Sequence, residues 1–166
     1  MACAILACLI SCDKDDENPP PTDVSTTDRN FVVMASMGNQ AEIEASQLAL
    51  TRGTDTSIKS FAQMMIMDHQ MAAAGLDSIA SDLGLYAPDS LDAEHVALQA
   101  QLGTLSGYAF DSVYINSQVV DHQENIALFQ TERDNGTYQR LREYAGSLLP
   151  NLQIHLQRAD SIASRY

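Results

Sequence analysis

Four long stretches of this chain repeat apolar residues at spacings of three and four, and one polar residue interrupts each repeat near its middle. That spacing puts the apolar residues on one face of an α-helix, and four such faces are buried most simply against one another. The first stretch, from about Asp28 to Arg52, carries Phe31, Ala35, Gly38, Ala45 and Ala49, with Glu42 in the gap. The second, from about Thr56 to Leu83, carries Ile58, Ala62, Met65, Ala72, Leu76 and Ile79, with His69 in the gap. The third, Tyr108 to Asn135, places His122 between Val119 and Ile126, and the fourth, Thr137 to Arg165, places His155 between Leu152 and Ala159. Thr27 and Asp55 are the expected caps of the first two helices, and Gly53, Gly84 and Gly136 the expected stops. Pro150 removes one backbone donor from the fourth helix and should kink it.

Nothing in the chain reads as a strand. The links between the first and second helices, and between the third and fourth, are short. The remaining link is long and holds Pro88-Asp89-Ser90 followed by a short helical pattern from about Asp92 to Leu105. The fold expected is all-α: an antiparallel four-helix bundle over residues 28–166, with a short extra helix in the crossover between helices two and three. That crossover resembles the ferritin-like arrangement. A segment of roughly 140 residues suits one domain with a single core.

Depth in a bundle follows distance along a helix, at about 1.5 Å per residue. Glu42, His69, His122 and His155 all lie near mid-helix, so they are expected to share a layer. Three neutral imidazoles and a carboxylate suit a single Zn, Fe, Cu or Mn ion. The same groups can instead form a metal-free hydrogen-bonded layer that fixes helix register, and the sequence leaves both readings open. Without a cation, a central Glu42 must be protonated or paired with an imidazolium.

Asp68-His69-Gln70 and Asp121-His122-Gln123 repeat one tripeptide, which hints at a pseudo-symmetric pair of hairpins. The repeat makes Asp68 and Asp121 candidates to orient an imidazole, although a residue next to a ligand points about 100° round the helix and is as readily solvated. Glu44, Asp111 and Tyr114 are further candidates for outer contacts. His95, beside Glu94 on the short helix, reads as a surface residue. Met34, Met37, Met64, Met65, Met67 and Met71 crowd the first two helices; thioethers suit Cu(I), but such clusters more commonly form adaptable core.

All the cysteines, Cys3, Cys8 and Cys12, precede the bundle, which therefore has neither a disulfide nor a thiolate ligand. Met1 to Ser11 is apolar, shorter than the roughly 20 residues that span a bilayer, and reads as the end of a secretion signal. Leu9-Ile10-Ser11-Cys12 resembles the lipobox of bacterial lipoproteins. That resemblance implies a lipid anchor at Cys12, a membrane partner, and a place in the cell envelope at the outer membrane, surface-exposed or facing the periplasm. No Lys or Arg precedes the apolar run, which departs from the pattern; the alternative is an unstructured terminus with a chance cysteine. Asp13 to Thr27 is acidic, Pro-rich and without an apolar face, so it reads as a tether. Its Lys14-Asp15-Asp16-Glu17 resembles the acidic tract behind the anchor cysteine of some surface lipoproteins. A net charge of -13, from 22 acidic and 9 basic residues, argues against nucleic acid as a partner. The sequence names no protein partner.

Several short motifs together resemble a bacterial family known as domain of unknown function 4142. They are Ala41-Glu42-Ile43-Glu44, Phe61-Ala62-Gln63-Met64 with Asp68-His69, Ser106-Gly107, Phe110-Asp111 with Tyr114 and His122, and Leu149-Pro150 with His155. The resemblance implies a ferritin-like fold and secreted or envelope-attached members, with no established activity. Ferritin-like di-iron sites take Glu-x-x-His motifs from two helices. Here Ile66, Val119 and Leu152 stand three before the histidines, so di-iron oxidase chemistry is not expected and a mononuclear site fits better. No nucleophile constellation or phosphate loop stands out, and binding is expected rather than catalysis. The leading expectation is an envelope-anchored bundle holding one metal ion for storage, sensing or redox protection. The rival is an envelope or stress interaction protein whose polar layer is structural.

Overall fold

A computed structural model describes residues 24–166. The lipobox-like segment, Cys12 and most of the expected tether lie outside the described residues. The described chain is all-α, with α1 Thr26–Arg52, α2 Thr56–Asp82, α3 Ala93–Thr104, α4 Gly107–Asn135 and α5 Gln139–Ala163. No described helix is long and apolar enough to cross a membrane.

Helix α1 starts earlier than the sequence suggests, because Ser25 rather than Thr27 caps it. Ser25 Oγ accepts from the Asp28 amide while the Asp28 carboxylate accepts from the Ser25 amide, a reciprocal capping box. Asp55 caps α2, and Gly84, at φ 62°, turns the chain away from its end. Helix α5 starts later than expected because Thr137 and Tyr138 belong to the preceding turn, and it runs on through Pro150.

The two short turns make α1–α2 and α4–α5 antiparallel hairpins, and α1 also packs on α4 and α2 on α5. The start of α4 meets the end of α1, where Asp111 binds Thr54. The start of α5 meets the start of α1, where Thr137 binds Asp28. Every neighbouring pair of long helices is therefore antiparallel. The crossover must travel the length of the bundle, and its helix α3 lies against α1 and α4.

The apolar core is split in two. One half holds Phe31, Leu76, Phe129 and Leu141, and the other holds Ile58, Phe61, Met65 and Phe110. Between them lie buried Asn39, Glu42, His69, Gln118, His122 and His155. Apolar residues there would give a continuous core without the desolvation cost of polar groups, so this layer is where function is to be sought.

Each end of the bundle is clasped by a buried aspartate. Asp28 accepts from the Thr137 and Tyr138 amides and the Thr137 hydroxyl in the α4–α5 turn. Asp111 accepts from the Thr54 and Asp55 amides and the Thr54 hydroxyl in the α1–α2 turn. Adding 83 to Asp28, Phe31, Asn39, Gly53 and Thr54 lands on Asp111, Tyr114, His122, Gly136 and Thr137. The two hairpins are thus pseudo-equivalent, α1 with α4 and α2 with α5. The repeated Asp-His-Gln tripeptide does not mark this symmetry, since it sits on α2 and α4; the counterpart of His122 is Asn39.

Glu132 is buried beside Asp28. Burial, and then the adjacent Asp28 carboxylate, push its pKa from an ordinary 4.5 up to about 8. The folded pKa is above the unfolded one, so the stability tied to the neutral acid is full below the unfolded value and lost as pH rises toward 8. Glu132→Gln should therefore be worth more at about pH 8 than at about pH 5. Thermal melts of parent and variant at both pH values check this: a gap in melting temperature that does not widen with pH would refute it.

Candidate metal centre

His69 comes from α2, His122 from α4 and His155 from α5, each from the middle of its helix. Their rings are mutual neighbours, with centroids 5.8 Å apart for His69–His122, 5.8 Å for His69–His155 and 5.4 Å for His122–His155. One ring nitrogen from each falls within 4.8 Å of the other two.

The hydrogen bonds identify which nitrogens face inward. His69 Nδ1 lies 2.9 Å from Asn39 Oδ1, His122 Nδ1 lies 2.8 Å from the Gln118 carbonyl, and His155 Nε2 lies 2.9 Å from Asp68 Oδ2. Each partner is an acceptor oxygen, so each of these nitrogens carries the ring proton and donates it. The opposite nitrogens, His69 Nε2, His122 Nε2 and His155 Nδ1, are then bare lone pairs. All three are buried without a hydrogen-bond partner among the described residues. Burial holds all three imidazoles below their ordinary pKa, His122 at about 4; the neighbouring histidines add to this at His69 and His155. The rings are neutral near pH 7 and available as ligands.

Glu42 is not brought to the same point. Its Oε1 lies 3.7 Å from His122 Nδ1, the nitrogen on the far side of the ring from the triad. Both of its carboxylate oxygens are buried without a close hydrogen bond, and burial raises its pKa to about 7 against the lowering effect of the neighbouring Gln118 side chain. Asp68 orients His155 on the opposite hairpin rather than its own neighbour His69. Asp121 faces His95 instead of the triad, at 3.9 Å, and burial followed by the charge of Glu42 raises its pKa to about 7.

The other expected outer groups lie elsewhere. Glu44, two residues past Glu42 and so on another side of α1, accepts from Gln40 and Gln99. Asp111 is a turn clasp, eleven residues and about 16 Å along the helix from His122. Tyr114 bonds Ser46 at 2.8 Å, and the Phe61 ring contacts both it and His122. Met65 is core, but Met34, Met67 and Met71 are more than half exposed, so the methionines form neither one core cluster nor part of the triad. His95 is half-buried rather than a free surface residue, held by Asp92. Sequence reasoning missed Asn39 and the Gln118 carbonyl. Asn39 was legible as a polar residue on the buried face of α1, whereas a backbone acceptor leaves no sequence signal.

A cavity of about 30 Å³ borders His69 and His155 between α2 and α5, with Asn39, Asp68 and Asn151 in its wall. That is room for one water molecule or a small fourth ligand.

The profile of the family described as "Domain of unknown function (DUF4142)" matches residues 14–162. The chain belongs to this family. Three solved structures resemble this member of the family. A DUF305 fragment from Deinococcus radiodurans is 13% identical, with a TM-score of 0.76, covering 87% of this chain and 99% of the fragment. CopM in a Cu(II)-bound form is 14% identical, with a TM-score of 0.70, over 82% of this chain and 95% of CopM. CopM in an Ag-bound form is 14% identical, with a TM-score of 0.68, over 83% of this chain and 96% of CopM. At these identities the likeness is one of helical fold. No curated protein matches.

Proposed function

We propose that this DUF4142 member binds one transition-metal ion through His69 Nε2, His122 Nε2 and His155 Nδ1. The observation that carries the reading is the set of three buried, converging lone pairs, unpaired among the described residues while each opposite nitrogen is fixed by an acceptor. A hydrogen-bonded polar network would need a donor facing each of them. Ligand atoms on one ion with bonds near 2.1 Å stand roughly 3.5 Å apart, so the rings need to close by about an ångström. Imidazole donors suit Cu and Zn, and also Fe. CopM is described with Cu(II) and with Ag, which makes copper the first ion to test. Three ligands and the adjoining cavity leave a fourth position for water. The carboxylate in the cavity wall, Asp68, is engaged with His155, so storage, sensing or buffering of the ion is favoured over catalysis.

The fold supports a finer assignment as a ferritin-like bundle, since two antiparallel hairpins are joined by a crossover along the bundle's length. The lipobox-like residues support anchoring at Cys12, with the domain displayed in the cell envelope. Membrane fractionation tests the anchor: Cys12→Ser should move the protein to the soluble fraction, and continued membrane retention would remove the anchor from the proposal. For the metal, titration of metal-free protein with copper, zinc, Fe(II) or manganese should fill the triad in one of the four cases. Uptake of none would return the layer to the structural reading.

A further inference from the structure

Away from the triad, one pocket gathers four carboxylates around an imidazole. It has a volume of about 150 Å³ and lies where the start of α3 meets α1 and α4. Asp92, Glu94, His95, Asp121 and Glu124 line it, and no Lys or Arg does. Asp92 caps α3 through one carboxylate oxygen and holds His95 Nδ1 at 2.8 Å through the other. That bond steadies the imidazole with its other nitrogen, Nε2, toward Asp121 Oδ1 at 3.9 Å. The gap is too long for a hydrogen bond. It is close to the separation of roughly 3 to 4 Å between two ligand atoms on one ion.

A second observation lies behind the pocket. Gly38 is in its wall, and Glu42 is one turn further along the same face of α1. The Glu42 carboxylate is only 2% exposed and makes no close hydrogen bond, the Gln118 amide being its polar neighbour. Its charge acts on both His95 and Asp121, and its Oε1 is 3.7 Å from His122. A buried carboxylate, outside the pocket's own lining, therefore stands between the outer pocket and the buried triad.

We infer that this pocket is a second, outer site for a divalent transition cation, bound between His95 Nε2 and the Asp121 carboxylate, which loads the buried triad past Glu42. The site stands on its own residues, and only the loading rests on the proposed triad. Mixed imidazole and carboxylate ligands suit Zn(II), Cu(II) or Mn(II). The four carboxylates concentrate cations at the entrance, a field effect that raises on-rates by about tenfold or more.

Cu(II) is the probe, because its unpaired electron broadens nearby amide resonances. The parent should take up two ions, and His95→Gln one. A His69→Ala/His155→Ala variant should still bind one, broadening the amides of Glu94, His95 and Glu124. His95 is half-buried at the surface, so His95→Gln keeps the test valid even where the double variant fails to fold. Unchanged stoichiometry in His95→Gln, or broadening spread over the whole acidic surface, would overturn the outer site. Failure of the triad reads differently: the parent would bind a single ion, lost in His95→Gln and kept in His122→Ala. Stopped-flow loading tests the route. Filling of the triad should slow roughly tenfold in His95→Gln, and an unchanged rate would overturn loading through this pocket.

Discussion

A His122→Ala variant should stay folded and lose the ion of the buried triad. The side chain is wholly buried, so its removal leaves a cavity costing about 2 to 4 kcal/mol, within the roughly 5 to 15 kcal/mol of an ordinary domain. What disappears is one of three converging lone pairs. In the parent, an ion at a thousand times its dissociation constant adds about 4 kcal/mol of stability. For a domain of this size that corresponds to a rise of roughly 10 to 20 °C in Tm. The variant should show no such rise when the same ion is added. Asp68→Asn supplies the intermediate case. It keeps all three ligands but weakens the acceptor that holds His155, so affinity should fall roughly 10- to 100-fold without loss of stoichiometry. Equal ion-induced shifts in parent, His122→Ala and Asp68→Asn would place the ion elsewhere.

Asp111→Ala should destabilise the fold by about 3 to 5 kcal/mol without touching the metal site. It removes one carboxylate and strands the Thr54 and Asp55 amides in a turn where Asp111 is their acceptor. Asp28→Ala should cost about as much for the matching reason. The clasps sit at opposite ends of the bundle, so the double variant should lose close to the sum of the two. Asp28 adds a pH signature. Burial alone would raise its pKa, but hydrogen bonds from Ser25, Thr137 and Tyr138 overcome that and hold it well below the ordinary 3.8. Its contribution is therefore full above the unfolded pKa and lost as pH falls below about 4 toward the folded value. Chemical denaturation of single and double variants measures all of this. A loss under about 1 kcal/mol at either site would show that the turns hold without their clasps.

Much of this was legible in the chain because helix periodicity and bundle depth are geometric. The stripe of Ile58, Ala62, Met65, Leu76 and Ile79 fixed which face of α2 is buried, and His69 had to follow it inward. The depth argument for His122 and His155 works the same way. It is coarser for Glu42, because depth says nothing of which side of a neighbouring ring a carboxylate reaches. Asp111 and Glu44, expected as outer contacts of the site, lie elsewhere for a different reason. Their partners, the Thr54 amide and Gln99, belong to other segments, and no local pattern encodes such pairings. The 83-residue offset is visible through Gly53-Thr54 and Gly136-Thr137, but the shared Asp-His-Gln tripeptide links α2 and α4, helices the symmetry does not relate.

The reciprocal placement of Asp28 and Asp111 means that neither half of the molecule owns its own bend. The acceptor that closes the α1–α2 turn is carried by α4, and the one that closes the α4–α5 turn is carried by α1. A hairpin made alone on the ribosome would have a correct turn sequence and no carboxylate to complete it. The two halves must therefore arrive together, as two hands gripping each other's wrists. Amide exchange at Thr54 and Thr137, near opposite ends of the bundle, should then report a single opening event shared by the whole domain.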